Sequence, residues 1–136
     1  MPRSAACKSI LIEIKRLAPE RQRPVLLTLD GGSGAGKSTL AAMLQREIDA
    51  AVIILDGAYS ASPGIADLVD FSVLVDLPVS ERHKRLAERE NAQFLRRWHE
   101  TWDEVEEYYF TIVRPKSSFD LIVSGSSILG GSTFEN

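Results

Sequence analysis

Four short apolar runs punctuate the chain, each closed by acidic or small residues. Val25-Leu26-Leu27-Thr28-Leu29 ends in Asp30-Gly31-Gly32, and Ala51-Val52-Ile53-Ile54-Leu55 ends in Asp56-Gly57. Phe71-Ser72-Val73-Leu74-Val75 ends in Asp76, and Phe119-Asp120-Leu121-Ile122-Val123 leads into Ser124. Runs of this kind, bounded by turn residues, are the pattern of strands buried in a parallel sheet. Helical periodicity fills the gaps between them. Ile10, Leu11, Ile14 and Leu17 share a face over residues 5–18, and Leu40, Met43, Leu44 and Ile48 do so after Lys37. Pro78-Val79-Ser80 opens a further helix with Ser80 as its expected N-cap. Phe94, Trp98, Trp102, Val105 and Tyr109 recur at three- and four-residue steps, which predicts helix to about Phe110 and an aromatic stripe turned into the core. Strands alternating with helices predict an α/β fold built on a parallel sheet of about four strands.

A single domain accounts for the whole pattern: an N-terminal helix and polar linker over 1–24, a core over 25–123, and a Gly/Ser-rich tail over 124–136 expected to fray. The chain has 136 residues, with 16 Lys+Arg against 19 Asp+Glu, so the net charge is −3. That balance gives no electrostatic footprint for nucleic acid. The one cysteine, Cys7, leaves no internal disulfide and makes a cytoplasmic setting the expectation. No apolar region precedes Ser4-Ala5-Ala6-Cys7, so no signal peptide is expected, and no apolar run nears the roughly 20 residues that cross a bilayer. His83 and His99 have no Cys or His partners at ligand spacing, so no zinc site is expected. Glu100, Asp103, Glu104, Glu106 and Glu107 read as a solvated acidic face.

Gly31-Gly32-Ser33-Gly34-Ala35-Gly36-Lys37-Ser38 changes the picture, because it meets the phosphate-loop pattern G-x-x-x-x-G-K-[ST] at every specified position. Its setting, between an apolar strand and an amphipathic helix, is the one the chemistry requires. Glycines let backbone N–H groups converge on phosphate oxygens, and the helix that begins at Lys37 points its N-terminal dipole at the same anion. Lys37 is then placed to reach the β and γ phosphates, and Ser38 to ligate Mg²⁺, with Thr39 completing the binding segment Gly31–Thr39. Asp56, ending an apolar strand beside a glycine, is the expected second carboxylate for Mg²⁺ and for catalysis. Asp76 also ends a strand, but Leu77-Pro78 reads there as a turn. Arg82, Arg85 and Arg89 fall on one helical face able to meet transferring charge or simply to pair with Glu81, Glu88 and Glu90.

The run Leu29–Ala41 resembles the small-molecule kinases of the phosphate-loop class, the uridine kinase-like group in particular. Ile54–Ser60, Pro63, Ala66-Asp67-Leu68 and Asp70 are similar to that group's third-strand segment and the loop after it. Val73–Asp76 with Arg82, Arg85 and Arg89 resembles its next strand and lid helix. Arg97-Trp98, Glu107-Tyr108, Arg114-Pro115 and Phe119–Val123 resemble its closing helix and last strand, so the likeness spans about residues 25–125. The resemblance implies a three-layer P-loop NTPase fold with a mostly parallel sheet and a phosphotransferase that passes the ATP γ-phosphate to a nucleoside-like hydroxyl, using ATP and Mg²⁺. It also implies catalytic roles for Lys37, Asp56, Arg85 and Arg89, and a place near the adenine for Arg114 and Pro115.

One departure matters. In the group, a strand with an acidic pair and a long substrate-binding stretch follow the first core helix, whereas here Asp49-Ala50-Ala51 leads straight into Val52. The expected alternative is therefore a nucleotide-binding module that holds ATP without turnover. A GTPase switch is disfavoured because no Asn-Lys-x-Asp motif occurs. A shortened sheet also exposes edges and apolar faces, from which self-association is expected.

Overall fold

The computed structural model describes residues 4–19, 23–48 and 51–128. The expected junction at Asp49-Ala50 and the linker residues 20–22 lie outside them. Helix α1 (Ala5–Leu17) starts where the Ser4 hydroxyl accepts the Cys7 N–H at 3.1 Å, an N-cap that satisfies one of the free amides of the first turn. It buries Ala6, Cys7, Ile10, Leu11 and Ile14, the face its periodicity predicts. Strand β1 (Val25–Asp30) feeds the glycine loop and then α2 (Lys37–Glu47), which buries Leu40 and Leu44.

Strands β2 (Val52–Asp56), β3 (Phe71–Asp76) and β4 (Leu121–Ser124) complete a four-stranded sheet of order β2-β1-β3-β4, every pairing parallel. The fold is thus α/β on an all-parallel sheet, as the strand–helix alternation predicts, and of the P-loop type that the resemblance implies. Chain order steps from β1 to β2 on one side and then to β3 on the other. Ligands in open parallel sheets bind at such a reversal, beyond the carboxyl ends of the strands, and the glycine loop occupies that place.

Leu27 and Leu29 from β1, Phe71, Val73 and Val75 from β3, and Leu40 and Leu44 pack with the α1 face into one core. The opposite face of the sheet is covered by a smaller cluster of Ala61, Leu74 and Phe119, with Phe110 against it. Strand β2 was expected to be buried. It is instead the sheet edge, and its alternate residues Ile53 and Leu55 are 54% and 40% exposed. Asp70 anchors the starts of β1 and β3: it takes both terminal nitrogens of Arg23, at 3.1 and 3.0 Å, and the Leu26 N–H at 2.8 Å.

Helices α3 (Val79–Arg89) and α4 (Ala92–Tyr108) follow β3. The cap of α3 is Pro78 and no side chain caps the helix, so Ser80, expected in that role, lies inside the first turn. Proline fixes φ for helix entry and has no N–H to satisfy, which removes the need for a hydroxyl. Asn91 caps α4 through the Phe94 N–H at 2.8 Å. The last turn of α4 widens into a π-type turn over Tyr109–Val113, where the Arg114 N–H reaches the Tyr109 carbonyl. The tail expected to fray is ordered in part: Gly125–Ser127 form a 3₁₀ turn and Ile128, 1% exposed, joins the main core. Residues 129–136 lie outside the described part. Among the described residues, no helix is long and apolar enough to cross a membrane.

Candidate functional site

The loop between β1 and α2 has the backbone that its glycines allow. Gly34 and Gly36 sit at φ +84° and +105°, in the left-handed region that an L side chain rarely enters. Gly31 is needed for space, since a Cβ there would collide with the Val75 backbone carbonyl. Gly36 caps α2 without a side-chain hydrogen bond, so the first-turn amides of α2 face outward as donors. Ser38 and Thr39, both exposed, stand on that first turn.

Lys37 folds back over the loop, its Nζ donating to the Gly31 and Gly32 carbonyls at 2.9 Å each. Burial lowers the Lys37 pKa, and the carboxylates of Asp30, Glu106 and Asp56 act against that shift. The lowering therefore comes from burial, which the three carboxylates offset only in part.

Helix α3 lays two arginines on the loop. Arg82 donates from Nε to the Leu77 carbonyl at 3.1 Å and from Nη1 to Glu106 Oε1 at 2.9 Å, with the Ser33 carbonyl 3.5 Å away. Arg85 spans the Ala35 and Gly125 carbonyls, both at 3.3 Å. Arg89 is exposed and reaches the site only as a cavity wall. Both Arg82 and Arg85 reach loop carbonyls, and Arg82 is also ion-paired with Glu106, although family likeness points first to Arg85 and Arg89.

Glu106 is the residue that sequence reasoning misplaced. It is 5% exposed, and its Oε2 accepts the Ser33 N–H at 3.1 Å and the Ser33 hydroxyl at 2.7 Å, while Oε1 takes Arg82. Asp103, read as part of the same solvated face, is half-buried as well. The available signal was positional. Glu106 follows buried Leu95 by 11 residues, three helical turns, and precedes buried Tyr109 by three, so it belongs to the inward face of α4.

Asp30, fully buried at the end of β1, ties the site together. It accepts the N–H groups of Gly31 (2.8 Å), Tyr59 (2.7 Å) and Ala61 (3.1 Å) and the Tyr109 hydroxyl (2.7 Å). One carboxylate thus fixes the glycine loop, the segment after β2 and the end of α4. Tyr59 takes φ +68° to aim its N–H there. Burial first, then the hydrogen bond to Asp30, raises the Tyr109 pKa. The sequence signal for Asp30 was an acidic residue closing an apolar strand directly before the first glycine.

Asp56 is exposed at the end of the edge strand, close enough to Lys37 for their charges to interact. Among the described residues, neither its carboxylate nor the Ser38 hydroxyl is engaged in a hydrogen bond or ion pair, so both keep oxygens free for a hard cation. Asp76 instead pairs with Lys116 at 3.2 Å.

A cavity of about 630 Å³ opens between the loop and the two helices, walled by Gly34, Lys37, Ser38, Arg85, Phe94 and Trp98 among others. That volume suits a nucleotide-sized ligand. The aromatic stripe is core only at its end, where Tyr109 is buried: Phe94, Trp102 and Val105 are 45%, 38% and 43% exposed, and Phe94 stacks on Trp98 at 6.0 Å along the cavity wall. With α4 leaning on α3 rather than on the sheet, its apolar stripe is left half open. Arg114 lies at the other end of the sheet, donating to Ser72 Oγ at 2.9 Å with its guanidinium 4.7 Å from the Phe119 ring centre, away from the position family likeness suggests.

Among protein families, the Zeta toxin family model matches residues 8–72, a segment that runs from α1 through the glycine loop to the start of β3. That family has the P-loop kinase-like fold, and the match suggests ATP-dependent, kinase-like chemistry. No curated protein and no solved structure matches the chain.

Proposed function

We propose that the chain is an ATP-dependent phosphotransferase of the nucleoside kinase-like type, passing the γ-phosphoryl group to a small hydroxyl acceptor. The observation that carries this reading is the convergence of Lys37 and Arg85 on one glycine loop that walls a nucleotide-sized cavity. Likeness to the uridine kinase-like group supports the choice of acceptor, and the Zeta toxin match supports the kinase class.

In this reading the loop amides and the first turn of α2 hold the phosphates, and Lys37 leaves the Gly31 and Gly32 carbonyls to meet them. Arg85 neutralises charge that grows on the transferring group. Ser38 and Asp56 would hold Mg²⁺, which would supply neutralisation of phosphate charge. The acceptor oxygen bonds to γ-phosphorus as the bond to the bridging oxygen of ADP breaks, and the acceptor proton passes to Asp56.

A second reading, binding without turnover, is favoured by one observation. Glu106 occupies the Ser33 N–H and the Arg82 guanidinium, groups that a phosphate needs. The two readings separate when ADP release from ATP·Mg is measured with a panel of nucleosides. Stimulation by at least one acceptor is expected; ATP binding with no stimulation by any of them supports the binding module and overturns the kinase reading.

A further inference from the structure

The chain contains two histidines, 16 residues apart in sequence, and the fold brings both to one place. His83 stands on α3 and His99 on α4, with ring centres 3.8 Å apart. Asp103, one helical turn beyond His99, completes the group: Oδ1 lies 3.2 Å from His99 Nδ1 and Oδ2 lies 3.1 Å from His83 Nε2. The three ligand atoms all fall within 4.8 Å of one another. No pattern of neighbouring ligands announced this cluster, because its two histidines reach it from separate helices.

Two further features distinguish it from a surface ion pair. His83 Nε2 is shielded from solvent and makes no hydrogen bond, although Asp103 Oδ2 lies 3.1 Å from it. A buried ring nitrogen left in that state is costly unless something else occupies its lone pair. The side chains are also only half-buried, 33%, 27% and 35% exposed, so the cluster lies at the edge of the α3–α4 contact rather than in the core.

We propose that His83, His99 and Asp103 form a site for a divalent transition-metal ion of the zinc type. Two neutral imidazoles and one carboxylate match the preferences of zinc, with the fourth position open to water, whereas the hard ion magnesium avoids nitrogen ligands. The ion would join α3 to α4, the helices that carry Arg82 and Glu106 to the glycine loop. This site is separate from the Ser38 and Asp56 oxygens and does not depend on the kinase reading.

The test uses the full chain with any affinity tag removed, titrated with zinc chloride by calorimetry and with Co²⁺ by visible absorption. One equivalent of each is expected to bind, with Co²⁺ showing the absorption of a low-coordinate nitrogen and oxygen site. His83→Ala, His99→Ala and Asp103→Asn are each expected to weaken binding by at least about tenfold, and zinc is expected to raise the Tm of the native chain but not of His83→Ala. His83→Gln, retaining volume, guards against loss of folding, which circular dichroism checks. Absent or non-saturating zinc binding overturns the proposal and leaves Asp103 as a polar partner of the two histidines. Binding that survives all three substitutions overturns it too, and ATP·Mg turnover does not enter either outcome.

Discussion

Two carboxylates, Asp30 and Glu106, govern the site at the scale of single residues, and both act through hydrogen bonds rather than exposure. The Tyr109 hydroxyl is one of four donors to Asp30. Its removal in Tyr109→Phe leaves three and is expected to lower stability by about 1–3 kcal/mol at neutral pH, the range for a buried hydrogen bond to a charged group. The Tyr109 pKa is raised in the folded state above its ordinary value of 10.0, so its contribution is full below pH 10 and is lost as pH rises beyond it. Urea melts of both proteins across the alkaline range check this, since Tyr109→Phe should lack that part of the decline. Glu106 competes for donors that a phosphate needs. Glu106→Gln removes the competing charge and is expected to tighten ATP binding several-fold by calorimetry; weaker binding would mean that the carboxylate supports the nucleotide-binding shape of the loop.

Elements behave as their neighbours dictate. Strands β1 and β3 were legible because apolar runs bounded by Asp and Gly match full burial. Strand β2 carries the same signal and yet lies at the edge, because run composition records apolarity and not how many neighbours a strand has. The glycine loop was legible entirely, since its constraint is local backbone geometry. Glu106, Asp103 and the histidine pair were not, since their positions depend on how α3 and α4 cross. Ile128 makes the same point: a residue in a Gly/Ser-rich tail packs beside Gly36 and into the core. Ile128→Ala is expected to cost about 2–5 kcal/mol, as for other fully buried aliphatic truncations. Ile53→Ala, at an exposed position, should change stability by less than about 0.5 kcal/mol. Equal effects in chemical denaturation would contradict the packing described.

The whole molecule presents one main core, one glycine loop at the reversal of strand order, and two helices over that loop, α3 bringing Arg82 and Arg85 and α4 bringing Glu106. On the proposed nucleotide side, donors, cations and a cavity lie in one place. On the acceptor side the chain contributes Asp56 at an exposed sheet edge. Everything proposed for function rests on the loop as a phosphate site, and calorimetric titration of ATP·Mg into the native chain and into Lys37→Ala tests it most directly. Saturable one-to-one binding by the native chain, weakened by at least about tenfold in a folded Lys37→Ala variant, is the predicted result. Equal affinity in the two proteins, or no binding by the native chain, would contradict it.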